Sequence, residues 1–118
     1  MKYGVHEMKV ISRSEFLKIE EKVLYSRFYN GHVSPSSSIE MKLGDNGDDD
    51  WVYQTLSGEI ARGFDVFDEA WESNIDSLDI DLECAGRDGM FDSDEKCKFL
   101  IFEKKDVMEI ISKLNEFL

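Results

Sequence analysis

Apolar residues follow two rhythms along this chain, and each change of rhythm marks a change of element. Val5 to Ile11 carries β-formers and predicts a first strand. Ser12 or Ser14 then offers a helix cap, with Glu15 in the first turn. Phe16, Ile19, Val23 and Leu24 follow at steps of three or four, which predicts an amphipathic helix to about Tyr25. Asn30-Gly31 has turn chemistry, and Ser34-Pro35-Ser36-Ser37-Ser38 reads as a short connection. Ile39, Met41 and Leu43 alternate with polar residues, and Trp51 to Leu56 is rich in β-formers. The turn-forming run Gly44–Asp50 between them makes a β-hairpin the expected structure.

The competing pattern is a long helix from Asp50, because Val52, Leu56, Ile60, Phe64, Phe67 and Trp71 also fall at helical steps. Gly58 and Gly63 would weaken such a helix by roughly 1 kcal/mol each. A shorter helix from Gly58 to about Ser73, capped by Ser57, is the expectation. Leu78, Ile80, Leu82 and Cys84 then alternate with Asp79, Asp81 and Glu83, which predicts a strand with apolar groups inward and carboxylates outward. After a loop from Ala85 to Lys96, Cys97–Glu103 is almost continuously apolar and reads as a central strand. Asp106 is placed to cap a last helix that buries Val107, Ile110, Ile111, Leu114 and Phe117. The order predicts an α+β fold: a single domain over 1–118, with an antiparallel-type sheet of about five strands and about three helices packed on it.

Composition narrows the class. With 118 residues, 42 % hydrophobic content and eight Phe, the chain can fill one modest core. It has no apolar run of eighteen residues, and residues 1–11 lack the apolar core of a signal peptide. No membrane partner and a cytoplasmic location are therefore expected. Cys84 and Cys97 suit free thiols there, as small apolar residues, and their spacing is not that of a zinc site. His6 and His32 are isolated, and no P-loop, dinucleotide fingerprint, H-E-x-x-H or nucleophile elbow is present. No enzyme, no cofactor and no metal are expected.

Charge supplies the functional signal. Between Asp45 and Glu95 stand seventeen acids against two bases, Arg62 and Arg87, a net of −15. The rest of the chain nets +3, giving the overall −12. A field so one-sided draws cationic partners and speeds encounter with them, although net charge also serves plain solubility. It excludes nucleic acid as a partner, since phosphates would be repelled and no basic stripe exists. Three clusters concentrate it: Asp45, Asp48, Asp49 and Asp50; Asp79, Asp81 and Glu83; and Asp88, Asp92 and Asp94. The predicted strand would set the carboxylates of the second cluster roughly 6.8 Å apart on one face, as an interface row or as a solvated face neutralised by a neighbour such as Lys98. On the predicted helix, Asp65 with Glu69 and Asp68 with Glu72 repeat the like-charge theme, while Phe64, Phe67 and Trp71 would pack inward. Trp51 adjoins the first cluster and is the candidate aromatic anchor beside the charge. Neither acidic loop has the EF-hand register, so calcium is not expected.

A small acidic chain with these clusters resembles in type the immunity proteins of bacterial toxin–immunity systems, in particular the class paired with contact-dependent growth inhibition toxins. The resemblance covers size and charge, not a motif, and transfers no residue role. It implies a basic protein partner, a cognate toxin with a nuclease domain, neutralised by occlusion. Such a protein is expected to act as a monomer. Two readings stand beside it: a nucleic-acid mimic that blocks a DNA-binding defence enzyme, and an acidic adaptor or structural subunit.

Overall fold

Strand β8 (Cys97–Phe102) lies inside a six-stranded sheet, as its apolar run requires, between β1 (Lys9–Ser12) and β2 (Val23–Tyr29). The computed structural model describes residues 7–29, 38–60, 77, 79–87 and 93–118. The sheet continues from β2 through β3 (Glu40–Asp45) and β4 (Trp51–Thr55) to the two-residue β7 (Ala85–Gly86), with order β1-β8-β2-β3-β4-β7. Every pairing in it is antiparallel. A separate two-stranded ladder joins β5 (Glu59–Ile60) to β6 (Ile80–Asp81). The helices among the described residues are α1 (Arg13–Leu17) and α2 (Lys104–Asn115). The class is α+β, with six strands in the main sheet where about five were expected. Two of the three expected helices lie among the described residues, and neither follows the expected bounds in full.

The alternation of the strands builds one dry face. Ile11, Tyr25, Phe99 and Ile101 share it, joined by Trp51, Cys97 and, from α1, Phe16. Phe16 stacks on Phe99 at 4.1 Å between ring centroids and meets Trp51 edge-on at 4.9 Å. Aromatic pairs in these arrangements contribute about 0.5–1.5 kcal/mol beyond area burial. Phe16 therefore locks α1 across the sheet.

Several sequence expectations are corrected. Ser12 does cap the first helix, accepting from Glu15 N at 3.2 Å, but the helix ends at Leu17. Val23 and Leu24 belong to β2, because Val23–Tyr29 alternates Tyr25 and Arg27 inward and pairs with strands on both sides. The hairpin of β3 and β4 is present. Its buried positions on β3 are Glu40 and Lys42, whereas Met41 and Leu43 are half-buried.

Gly58 does not start a helix. Its amide donates to Thr55 O at 2.9 Å, its φ is +81°, and Glu59 enters β5. A Cβ at Gly58 would stand 2.7 Å from Asp81 O, so the turn admits only glycine there. The remainder of the expected helix over 58–73, with its acids and aromatics, lies outside the described residues, as do Asn30-Gly31, both histidines and most of the serine-rich connection.

The expected last helix is present as α2, but it begins at Lys104, before the expected cap at Asp106. Glu103 is the cap residue, and Asp106 supports it from inside the first turn by accepting from Glu103 N at 2.6 Å. The expected buried stripe is only partly covered. Val107 and Ile110 are half-buried, while Ile111, Leu114 and Phe117 are exposed.

Candidate functional site

The acidic turn between β3 and β4 is built from inside. Asn46 N donates to Asp50 O at 2.9 Å, and Asn46 Nδ2 donates to Asp50 Oδ2 at 3.0 Å. Gly47 takes φ +79°, the left-handed conformation that closes the turn. Beneath it, Lys42 is 2 % exposed and donates to Phe16 O at 3.2 Å and Ile19 O at 2.6 Å. The same ammonium lies 3.3 Å from Asp45 Oδ1. Arg13 reaches over from α1 and donates to Asp49 O, with its guanidinium 6.0 Å from the Trp51 ring. The turn is thus fastened through its backbone and through Asp45 and Asp50, while the Asp48 and Asp49 side chains remain exposed.

The next residue of α1 holds another predicted site residue. Ser14 donates to Asp94 through both its amide, at 2.9 Å, and its hydroxyl. The Ser14 hydroxyl, then its amide, and the nearby Arg13 charge hold the Asp94 carboxyl below its usual value. Arg13 and Ser14 therefore gather Asp49 and Asp94, which are far apart in sequence, around the start of α1. Sequence reasoning missed both residues, because Arg13 and Ser14 carry no signal beyond helix-start chemistry.

Two of the predicted site residues are not surface groups. Trp51 is fully buried, with Nε1 donating to Tyr25 Oη at 2.7 Å. It cannot be the exposed anchor the sequence suggested; its ring completes the core that Phe16, Tyr25 and Phe99 begin. Asp50 is 4 % exposed and serves the turn instead of a partner.

The Asp79-Asp81-Glu83 row is also corrected. Among the described residues of the expected strand over 78–84, Ile80–Asp81 is strand, and Asp81 Oδ1 accepts from Glu83 N at 2.9 Å, which turns the chain. Ile80 and Leu82 are exposed rather than inward. The three carboxylates are exposed, yet they do not form a straight row at period-two spacing. Lys98, on β8, is no neighbour of this segment through the sheet, since it pairs with Ser12 of β1 and Phe28 of β2. The segment docks on β4 instead, where Gln54 Nε2 donates to Glu83 O at 2.9 Å. Asp88 and Asp92 lie outside the described residues.

Behind the acidic turn, the sheet carries a buried polar relay. Arg27 donates to Glu40 from Nε and from a terminal nitrogen, both at 3.0 Å. The guanidinium also lies 5.5 Å from the Trp51 ring and 4.9 Å from the Tyr53 ring. Burial, reinforced by the Glu40 charge, raises the Tyr25 phenol far above its ordinary value. A relay of Trp51, Tyr25, Glu40 and Arg27 thus fixes β2, β3 and β4 against one another.

Among the described residues no group of three His, Cys, Asp or Glu side chains is arranged to hold a metal ion. A shallow cavity of about 370 Å³ lies between Phe28–Tyr29 and the Asp94–Lys98 segment, lined by groups of both signs. No helix among the described residues is long and apolar enough to cross a membrane. Compared with protein-family models, curated proteins and solved structures, the chain matches none.

Proposed function

We propose that this chain is an immunity protein that binds a cationic toxin, with a nuclease domain as the favoured partner, and neutralises it by covering its substrate-binding surface. The observation that carries the reading is charge segregation: a net of −15 between residues 45 and 95 in a chain whose remainder nets +3. The fastened turn supports it. Arg13 and Lys42 engage the turn from the protein side through its backbone and Asp45, which leaves the Asp48 and Asp49 carboxylates facing outward. Carboxylates on a pre-organised turn lose little freedom when they meet Lys and Arg groups that otherwise hold phosphates.

With Trp51 in the core, the reading rests on the exposed acids Asp48, Asp49, Asp79, Asp81, Glu83 and Asp94. A nucleic-acid mimic calls for an extended, evenly spaced carboxylate array, and the turn at Leu82–Glu83 interrupts the one such array in the sequence. Affinity capture from the native host, followed by an activity assay of the captured protein, tests the proposal. A basic nuclease inhibited at one-to-one stoichiometry is the expected result. An acidic partner, or inhibition at substoichiometric amounts, overturns it.

A further inference from the structure

One side-chain amide closes the turn between β3 and β4. Asn46 Nδ2 donates to Asp50 Oδ2 at 3.0 Å, and Asn46 N donates to Asp50 O at 2.9 Å. Asp50 is 4 % exposed, and the next residue, Trp51, is fully buried. A change at Asn46 is therefore felt where the turn enters the core. The residue after Asn46 is Gly47, which is exposed, takes φ +79° and has open space where a Cβ would stand. With no Cβ at the following residue, its amide nitrogen reaches the asparagine side-chain carbon with the least steric hindrance.

We propose that Asn46-Gly47 is a site of spontaneous deamidation, and that the product unlocks the acidic turn. Gly47 N attacks Asn46 Cγ. The N–Cγ bond forms, the Cγ–Nδ2 bond breaks, and Nδ2 leaves as ammonia with the proton from the Gly47 amide. Water then opens the five-membered imide at either carbonyl, leaving aspartate or isoaspartate at position 46. One water is taken up and one ammonia released, with no change of oxidation state. Folding does not block the step, because the two hydrogen bonds at Asn46 open locally while the sheet stays intact. Bonds of this strength slow the reaction by no more than roughly a hundredfold relative to the unfolded chain. The product replaces a donor with a second carboxylate, a hydrogen-bond length from Asp50 Oδ2. Like charges at that range repel, and burial of Asp50 sharpens the cost. Isoaspartate also adds one methylene to the backbone inside the loop that Asp45 and Trp51 close as a cross-strand pair.

The full chain incubated at mildly alkaline pH, folded or in urea, and then mapped by peptide mass spectrometry tests the site. The map separates Asn46 from Asn30-Gly31, the other Asn-Gly pair in the sequence. Asn46 should convert in the folded chain within the stated factor of its rate in urea. Asn46→Asp should lower the melting temperature more than Asn46→Ala, which removes the side-chain bond without adding charge. Converted wild-type chain, separated by ion exchange, should melt below the unconverted fraction, so the reading does not depend on a variant folding. An Asn46 that persists in the folded chain beyond that factor overturns the site. An Asn46→Asp no less stable than Asn46→Ala, or converted and unconverted chains that melt alike, overturns the unlocking. None of these outcomes depends on the identity of the toxin.

Discussion

Arg27 and Glu40 show at the scale of single residues how this fold is specified. Removing one member of a buried, hydrogen-bonded ion pair costs about 3–5 kcal/mol, because its partner stays in the low-dielectric interior. Glu40→Ala should therefore lower unfolding stability by about that amount in urea titrations, and Arg27→Met/Glu40→Leu should recover most of it. Tyr25 adds a pH dependence. Its folded pKa is raised, whereas in the unfolded chain the phenol ionises near about pH 10. Its stabilisation is complete below that value and is lost as pH rises above it. Denaturation followed from pH 8 to 11 should show stability falling near the upper end, and Tyr25→Phe should flatten that fall. Asp94 works in the opposite sense. Its folded pKa is lowered from 3.8, so its contribution is present above that value and declines as pH falls through the lower one. These residues were the least readable in the sequence. On β3 the apolar positions Met41 and Leu43 alternate with Glu40 and Lys42, and the charged pair took the interior because Arg27, Phe16 O and Ile19 O meet it there.

At the scale of elements, pattern succeeded for the β3–β4 hairpin, against a competing helical spacing from Asp50, and for the central strand. The hairpin of β3 and β4 followed from β-formers flanking a turn-forming run, and β8 from an unbroken apolar run. Pattern failed where a local hydrogen bond, from a side chain or within the backbone, turned the chain. Asp81 turned the predicted 78–84 strand by accepting from Glu83 N, and Gly58 turned the predicted helix start. Helical spacing through Val23 and Leu24 yielded to strand pairing on both edges of β2. Of the proposed binding residues, acidic character was visible in sequence, but not which carboxylates serve the turn and which face outward. That division makes a prediction. Asp48→Asn/Asp49→Asn should leave the melting temperature unchanged and slow association with the basic partner. Gly47→Ala should instead destabilise the fold by about 1–2 kcal/mol, since a Cβ is unfavourable at positive φ. Trp51→Ala belongs with the latter, with a loss of about 3–5 kcal/mol expected for a buried aromatic ring.

At the scale of the whole molecule, charge is spread unevenly along the chain. Acids crowd the segment from 45 to 95, while the exposed charges of α2 and its Asp106 cancel. Charges more than about 8 Å apart are screened at physiological ionic strength, so steering of a cationic partner should weaken steeply with added salt. Stopped-flow association across a salt series measures this. A rate that does not change with salt would remove steering from the mechanism.

The way α2 is attached has a further consequence. The cap at Glu103 and Asp106 secures its first turn, Val107 and Ile110 are half-buried, and Leu114, Phe117 and Leu118 are exposed. Amide hydrogen exchange in dilute solution should therefore be graded along the helix, with slow deuterium uptake near Val107 and fast uptake beyond Leu114. Such a helix should melt from its far end without loosening the sheet.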